Sequence, residues 1–336
     1  MLSPLVSVVI PTHLRAGLVL GAVVSALAQT FTDIEVIVVV DGRDAETFRA
    51  LGTIEDKRLR VIIPGRHLGN ADARNAGVSF ALGRYVAFLD DDDEWLPRKL
   101  EVQLATASQS HWKHPIVACR MICRSEEGDA IWPRREPYPG EPLSEYFFCR
   151  RTPFTGEGMI INSAILTLRE LMLQVPFRSG LERHVDPDWL LRAALRFDTG
   201  LELVPEKEPF LIWHIERNRP RITTRYDWRG SLAYARANRE LFTARGYAAF
   251  ILHVVGSAAA AQNEGLAFFI LLKESLNGGQ PAAVDLISHL GNFLLPLAAQ
   301  RAAARLFAKT TGTARCESPA AHGARLEGAG ENPNRQ

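Results

Sequence analysis

Within the first 90 residues, four short segments are apolar with almost no polar interruption: "LVSVVIP" (5–11), "IEVIVVVDG" (34–42), "LRVIIPG" (59–65) and "RYVAFLD" (84–90). Each is rich in β-branched or aromatic residues and ends in proline, glycine or aspartate, the pattern of a strand covered on both faces. Between the first two lies "GLVLGAVVSALAQT", where Leu20, Val23, Val24, Leu27 and Ala28 recur at helical spacing. Between the last two, "NADARNAGVSFALG" is also helical and closes at Gly83. Buried strands alternating with helices predict an α/β fold built on a mostly parallel sheet. Such sheets bind ligands at the carboxyl ends of their strands, which here are Pro11-Thr12, Asp41-Gly42, Pro64-Gly65 and Asp90 to Asp93.

The texture changes after residue 112. "HPIVACRMICR" reads as one strand, and "IWPRREPYPGEP" as a proline-rich loop. "TGEGMIINSAILTLRELML" predicts a strand running into a helix. "HVDPDWLLRAALRF" predicts a helix with acids in its first turn, where the helix dipole favours them. Residues 228–308 read as helical and alanine-rich, and the tail from Thr310 lacks an apolar period and is expected to be disordered.

Composition narrows the function. An apolar share of 47% and a charged share of 23% over 336 residues are those of an ordinary globular protein. A net charge of +1 gives no basic field for nucleic acid, which is therefore not an expected partner. No basic region precedes an apolar stretch at the N-terminus, and no run of 18 apolar residues occurs, so a reduced cytoplasmic setting is the expectation. The four cysteines form no CxxC pair. Cys119 and Cys123 near His111 and His114 fit no usual zinc spacing, and buried free thiols are expected.

"FLDDDDEWLP" then calls for chemistry. The turn after the first strand, "PTHLRAG", is not GxGxxG, and no P-loop string occurs. A haloacid-type phosphatase motif would start correctly with Asp90, but Glu94 stands where Thr or Val belongs. Hard cations such as Mg²⁺ or Mn²⁺ take carboxylate oxygens and keep positions open for phosphates. Asp90 and Asp92, at i and i+2 on an extended strand end, face one side and can share such an ion. Asp93 and Glu94 precede "LPRKLEVQL" and are expected to cap that helix.

The blocks "VSVVIPTHLR", "QTFTDIEVIVVVDG", "GNADARNAG", "GRYVAFLDDDDEWLPRKLEVQ" and "HVDPDWLLR" together resemble the family 2 glycosyltransferases of the GT-A fold, across residues 4–215. The resemblance implies inverting transfer of a sugar from a nucleotide-diphosphate donor, UDP-linked by expectation, with Mg²⁺ or Mn²⁺ on the diphosphate. It implies a glycan or lipid-linked acceptor in surface polysaccharide synthesis. Residues 1–112 would be the nucleotide-sugar-binding half, 113–217 the acceptor-binding half, 218–309 a helical extension and 310–336 a tail.

Position by position, Pro11 and Thr12 would line the nucleotide pocket, and Asp41 would accept from the base. The chain has Val40-Asp41-Gly42-Arg43 where members commonly carry DDGS. Arg74 and Asn75 would lie near the diphosphate, Asp91 would contact the donor sugar, and Asp90 with Asp92 would hold the metal. Asp186 would be the general base and Asp188 its neighbour, with Val185 in place of the usual Glu. The plain alternative is that Asp186 and Asp188 cap their helix. His214 would reach the diphosphate or metal, or be a packed histidine; Trp95 and Trp189 are expected to pack. The helices after residue 228 are expected to form a bundle, or to lie on the inner face of a membrane with Arg301, Arg305 and Lys309 near lipid phosphates. A phosphatase or nucleotidyltransferase using the same acids, and a non-catalytic sugar-nucleotide-binding protein, are the competing readings.

Overall fold

The computed structural model describes residues 3–126, 128–151, 157–216 and 227–295. The first half follows the apolar pattern: β1 (Val6–Thr12), α1 (Ala16–Leu27), β2 (Ile34–Val40), α2 (Ala45–Leu51), β3 (Leu59–Ile62), α3 (Asn70–Phe80), β4 (Tyr85–Phe88), a short β5 (Glu94–Trp95) and α4 (Lys99–Gln109). There follow β6 (His114–Ala118), β7 (Met121–Ser125), β8 (Gly128–Trp132), α5 (Leu143–Phe148), β9 (Ile165–Leu168), α6 (Arg169–Gln174), α7 (Val185–Ala194), β10 (Thr199–Leu203) and β11 (Leu211–His214).

Seven strands form one sheet in the order β10-β6-β9-β4-β1-β2-β3. Only β9 runs antiparallel to its neighbours β4 and β6. Every residue of β1 and β2 is buried, as their unbroken apolar runs require. Gly77 of α3 is where that helix touches the sheet: a Cβ there would lie 2.3 Å from Val9 Cγ1. A second sheet, β5-β11-β7-β8, stands beside the first.

"HPIVACRMICR" is not one strand. It breaks after Ala118 and resumes at Met121, so β6 belongs to the large sheet and β7 to the small one. The buried Arg120 makes the break, with Nη1 donating to the Glu206 carbonyl and Nη2 to Glu136. Its own carbonyl accepts from Phe210. Cys119 and Cys123 are buried free thiols, and burial pushes the Cys119 thiol up to about 11.

After residue 226 come α8 (Trp228–Ala237), α9 (Ala244–Ala249), a π-helical segment (Phe250–Val255), α10 (Gly256–Ala261), α11 (Ala267–Gly278) and α12 (Ala283–Leu294). Their own apolar cluster, including Trp228, Tyr247, Phe250 and Leu271, packs on Phe147 and Phe148 at the end of α5. Among the described residues, no helix is long and apolar enough to cross a membrane. The tail 310–336, and Arg301, Arg305 and Lys309, lie outside the described residues.

Candidate active site

Pro11 sets where the rim begins. Leu89 N–H donates to the Val9 carbonyl, so a parallel ladder would next take a donor from residue 11. Proline has none, the β1–β4 ladder stops, and the chain leaves the sheet at Asp90. Residues 90–93 then form a turn closed by Asp93 N–H on the Asp90 carbonyl at 3.1 Å. The aspartates are therefore not laid out on an extended strand, and the turn sends their carboxylates to different partners.

Asp90 pairs with Arg74. Asp91 is buried, accepts from Thr12 Oγ1 at 2.7 Å and meets Arg15 Nη1 at 2.9 Å. Burial raises its carboxyl to about 6 against the pull of Arg15 and Thr12. Asp92 lies 3.2 Å from the same Arg15 nitrogen. Asp93 does not cap a helix: α4 begins at Lys99, after an Arg98 cap position without a side-chain bond. Asp93 instead turns inward to Ser163 Oγ, which donates to it at 2.5 Å. Burial, followed by the charges of Asp90 and Asp92, raises its carboxyl well above the usual range. Glu94 enters β5 rather than a helix cap.

Arg15 reaches the turn because Leu14 adopts a left-handed backbone (φ 54°), with its N–H held by the Asp44 carboxylate at 2.9 Å. A leucine at positive φ is uncommon and needs such a tether. Arg74 is 1% exposed, packs over the Phe177 ring, and has Nε and Nη1 without a partner among the described residues. Asn75, next to it, places both amide atoms on the Phe177 backbone at 2.9 Å.

Asp186 arrives from α7. Its carboxylate accepts from Asn162 N–H at 3.0 Å and from Asn162 Nδ2 at 2.6 Å. Burial raises it to about 6; Arg74 opposes this and the Asp90 charge adds to it. Capping is not its role, because the cap position of α7 is His184 in a left-handed conformation. Asp188, two residues on, is bound by Arg192 at 2.8 Å, Arg178 at 3.3 Å and the Tyr234 hydroxyl at 3.1 Å, which ties α7 to α8.

His214 comes close through the small sheet. Antiparallel pairing of Leu211 with Trp95 and Ile212 with Glu94 carries the end of β11 toward Asp92 and Asp93. Its backbone amide lies against Asp93, while its ring Nδ1 pairs with Glu216 at 3.1 Å. Asp41, at the end of β2, is buried and holds the loop leading into α3: it accepts from Leu68 N–H at 2.6 Å and Gly69 N–H at 2.9 Å. His67 adds a contact at 2.9 Å, and His13 Nδ1 lies 2.5 Å from the Asp41 carbonyl. Among the described residues, His13, Asp41 and His67 are the group of three whose ligand atoms converge.

Five acids, Asp90 to Asp93 and Asp186, thus face two arginines, Arg15 and Arg74. The excess negative charge, the raised carboxyls and an Asp93 Oδ1 without a hydrogen-bond partner among the described residues fit a bound divalent cation, which would relieve all three. Arg15, Asn162 and Ser163 carried no separate sequence signal of their roles. Arg15 is legible only as the basic residue three positions after Thr12; Asn162 lies 24 residues from Asp186, and Ser163 lies 73 and 70 residues from Asp90 and Asp93.

The profile described as Glycosyl transferase family 2 matches residues 7–175, half of the chain and most of this site. The chain belongs to glycosyl transferase family 2. It is 28% identical, over 225 residues, to a glycosyl transferase of Escherichia coli K12 provisionally assigned to colanic acid biosynthesis, covering 66% of this chain and 76% of that one. Over 100 residues it is 37% identical to the UDP-Glc:alpha-D-GlcNAc-diphosphoundecaprenol beta-1,3-glucosyltransferase of Escherichia coli, 30% of this chain and 40% of that one. Its fold is similar to S. aureus TarS 1–349 in complex with UDP-GlcNAc, with a TM-score of 0.51, 18% identity, and 86% and 80% of the two chains covered. The fold is GT-A, with a helical region behind it. Membership makes the chain a glycosyltransferase and sets aside the phosphatase-type and non-catalytic readings of its aspartates.

Proposed function

We propose that this family 2 member is a cation-dependent inverting enzyme that moves a sugar from a nucleoside-diphosphate donor, a UDP-sugar, to a hydroxyl of a glycan or lipid-linked acceptor in surface polysaccharide synthesis. The observation that carries the reading is Asp186: a carboxylate raised to about 6, held by Asn162 and set across the buried Arg74 from the acidic turn. A base with that acidity is half ionised near pH 6 and ready at neutral pH to take the acceptor proton. Arg74, with two unpartnered nitrogens, suits the diphosphate, and Thr12 with Arg15 orients Asp91 beside it. Asp92 and Asp90 would hold Mg²⁺ or Mn²⁺, which when bound supplies positive charge to the leaving diphosphate. Pro11, Thr12 and the Asp41 loop would border the base. The Escherichia coli glucosyltransferase that it resembles, named for a UDP-glucose donor and a lipid diphosphate acceptor, supports the substrate classes.

Nucleotide release from UDP-, GDP-, dTDP- and CMP-sugars, followed with Mn²⁺ and with EDTA, tests the proposal. UDP-sugars should be used, EDTA should abolish turnover, and Asp92→Asn should lose at least about 100-fold of it. Turnover that survives EDTA and Asp92→Asn would refute the cation assignment. The helical extension exposes Phe269, Ile270, Ile287, Leu290 and Leu294, a distribution that supports peripheral contact with the inner face of a membrane. Flotation with anionic liposomes checks this, and a protein that stays at the bottom of the gradient removes the membrane from the proposal.

A further inference from the structure

A cavity of about 190 Å³ lies where the helical extension meets the catalytic half. One wall holds Pro187, the residue after Asp186, and Ile160, two residues before Asn162. Phe147, Phe148 and Met159 make most of the lining apolar. Gly158 shapes the wall, since a Cβ there would sit 1.8 Å from the Tyr146 carbonyl oxygen. From the extension comes His253, on the π-helical segment, an irregularity found often at functional sites.

The polar groups are few and mixed in kind. His253 is 4% exposed; its Nε2 donates to Asp285 at 2.8 Å, leaving Nδ1 as a buried acceptor without a partner among the described residues. Burial lowers the pKa of this imidazole, which keeps Nδ1 unprotonated. Arg150 supplies donors, and its side chain has no hydrogen bond or ion pair among the described residues; the carboxylates of Glu157 and Asp285 act on its charge. Glu157 supplies a carboxylate, fixed by the Arg151 backbone N–H. A pocket for an anion would present donors only. This one sets a donor between two acceptors against aromatic walls, an arrangement that answers hydroxyl groups, which donate and accept at once. Its volume is below the roughly 300–1,000 Å³ of sites for larger ligands, and fits one ring.

We propose that this cavity binds a neutral hexopyranose ring of the acceptor, with Arg150, Glu157 and His253 on its hydroxyls and Phe147 and Phe148 on its apolar face, so that acceptor choice is made jointly by the catalytic half and the helical extension. The inference deepens the glycosyl-transfer reading and rests on it for the word acceptor, but ring binding is measurable without any transfer.

Saturation-transfer NMR on the full chain, without donor, would use methyl and octyl hexopyranosides below their micelle-forming concentration, with octyl phosphate as the anionic competitor. The wild type should bind one or more of the glycosides, octyl phosphate should not displace them, and Arg150→Gln and the cavity-filling Met159→Trp should each weaken binding at least tenfold. In transfer assays the same variants should raise the acceptor KM at least tenfold with kcat within twofold, and their melting temperatures report folding. Absence of glycoside binding, displacement by octyl phosphate, or unchanged binding in both variants overturns the proposal. Glycoside binding by a wild type that transfers no sugar would instead overturn the catalytic reading and leave the ring site standing.

Discussion

Replacing Asp186 by Asn should remove activity and stabilise the protein, and the pair of outcomes is more telling than either alone. Two donors from Asn162 already favour the ionised carboxylate, and Arg74 favours it further, yet burial still carries the group from 3.8 to about 6. At about 1.4 kcal/mol per tenfold change in acidity, holding that charge costs the folded state about 3 kcal/mol at pH 8. An amide of the same shape removes the charge. It would face Asn162 Nδ2 donor to donor, but Asn162 Oδ1 is buried without a partner, so rotation of the Asn162 amide restores both bonds. The expected result at pH 8, in EDTA and without nucleotide, is a melting temperature several degrees above wild type. The direction in pH follows from the raised folded-state value. The wild type carries the cost in full above about 6, sheds it as the group protonates in the folded state, and carries none below 3.8, so the gain should vanish near pH 4. Transfer should fall about 10²–10⁴-fold, as for loss of a general base. Thermal scans at pH 4 and 8 and initial rates at saturating donor check both. A variant that is destabilised at pH 8, or that keeps a tenth of its activity, refutes the assignment.

Asn162→Ala removes the side-chain donor to the same carboxylate and leaves the backbone N–H in place, so the acid limb of the kcat/KM pH profile, expected near 6, should move upward while donor KM changes little. Lys99 is buried over the Trp95 ring with Gln103 as its hydrogen-bond partner among the described residues, and burial lowers it to about 8. From this group the unfolded chain binds more protons between about 8 and 10.5, so the denaturant midpoint of the wild type should rise with pH across that window relative to Lys99→Met, in which the other titrating groups, Cys119 among them, act unopposed. Gly77→Ala should cost about 1–3 kcal/mol by pressing α3 off β1, read as a lower urea midpoint at unchanged slope.

What the linear chain determined by itself is what local pattern can encode. Continuous apolar runs demanded strands buried on both faces, their ends named the rim, and the acids at one of those ends, Asp90 to Asp93, lie near Asp186 in the first turn of α7, a residue that only the family resemblance singled out. Tertiary structure decided how those acids differ. Pro11 denies β4 a donor and turns the chain at Asp90, Arg15 and Arg74 divide the carboxylates between them, and Ser163 draws Asp93 inward although its place before a helix suggested a cap. The split of "HPIVACRMICR" between two sheets likewise depends on a buried Arg120 whose partners, Glu136 and Glu206, lie 16 and 86 residues away. The physical reason is the same in each case. Periodicity records whether a side chain meets water or apolar core, whereas charge pairing and acidity depend on groups that only folding brings within a few ångströms, and no spacing rule carries that information along the chain.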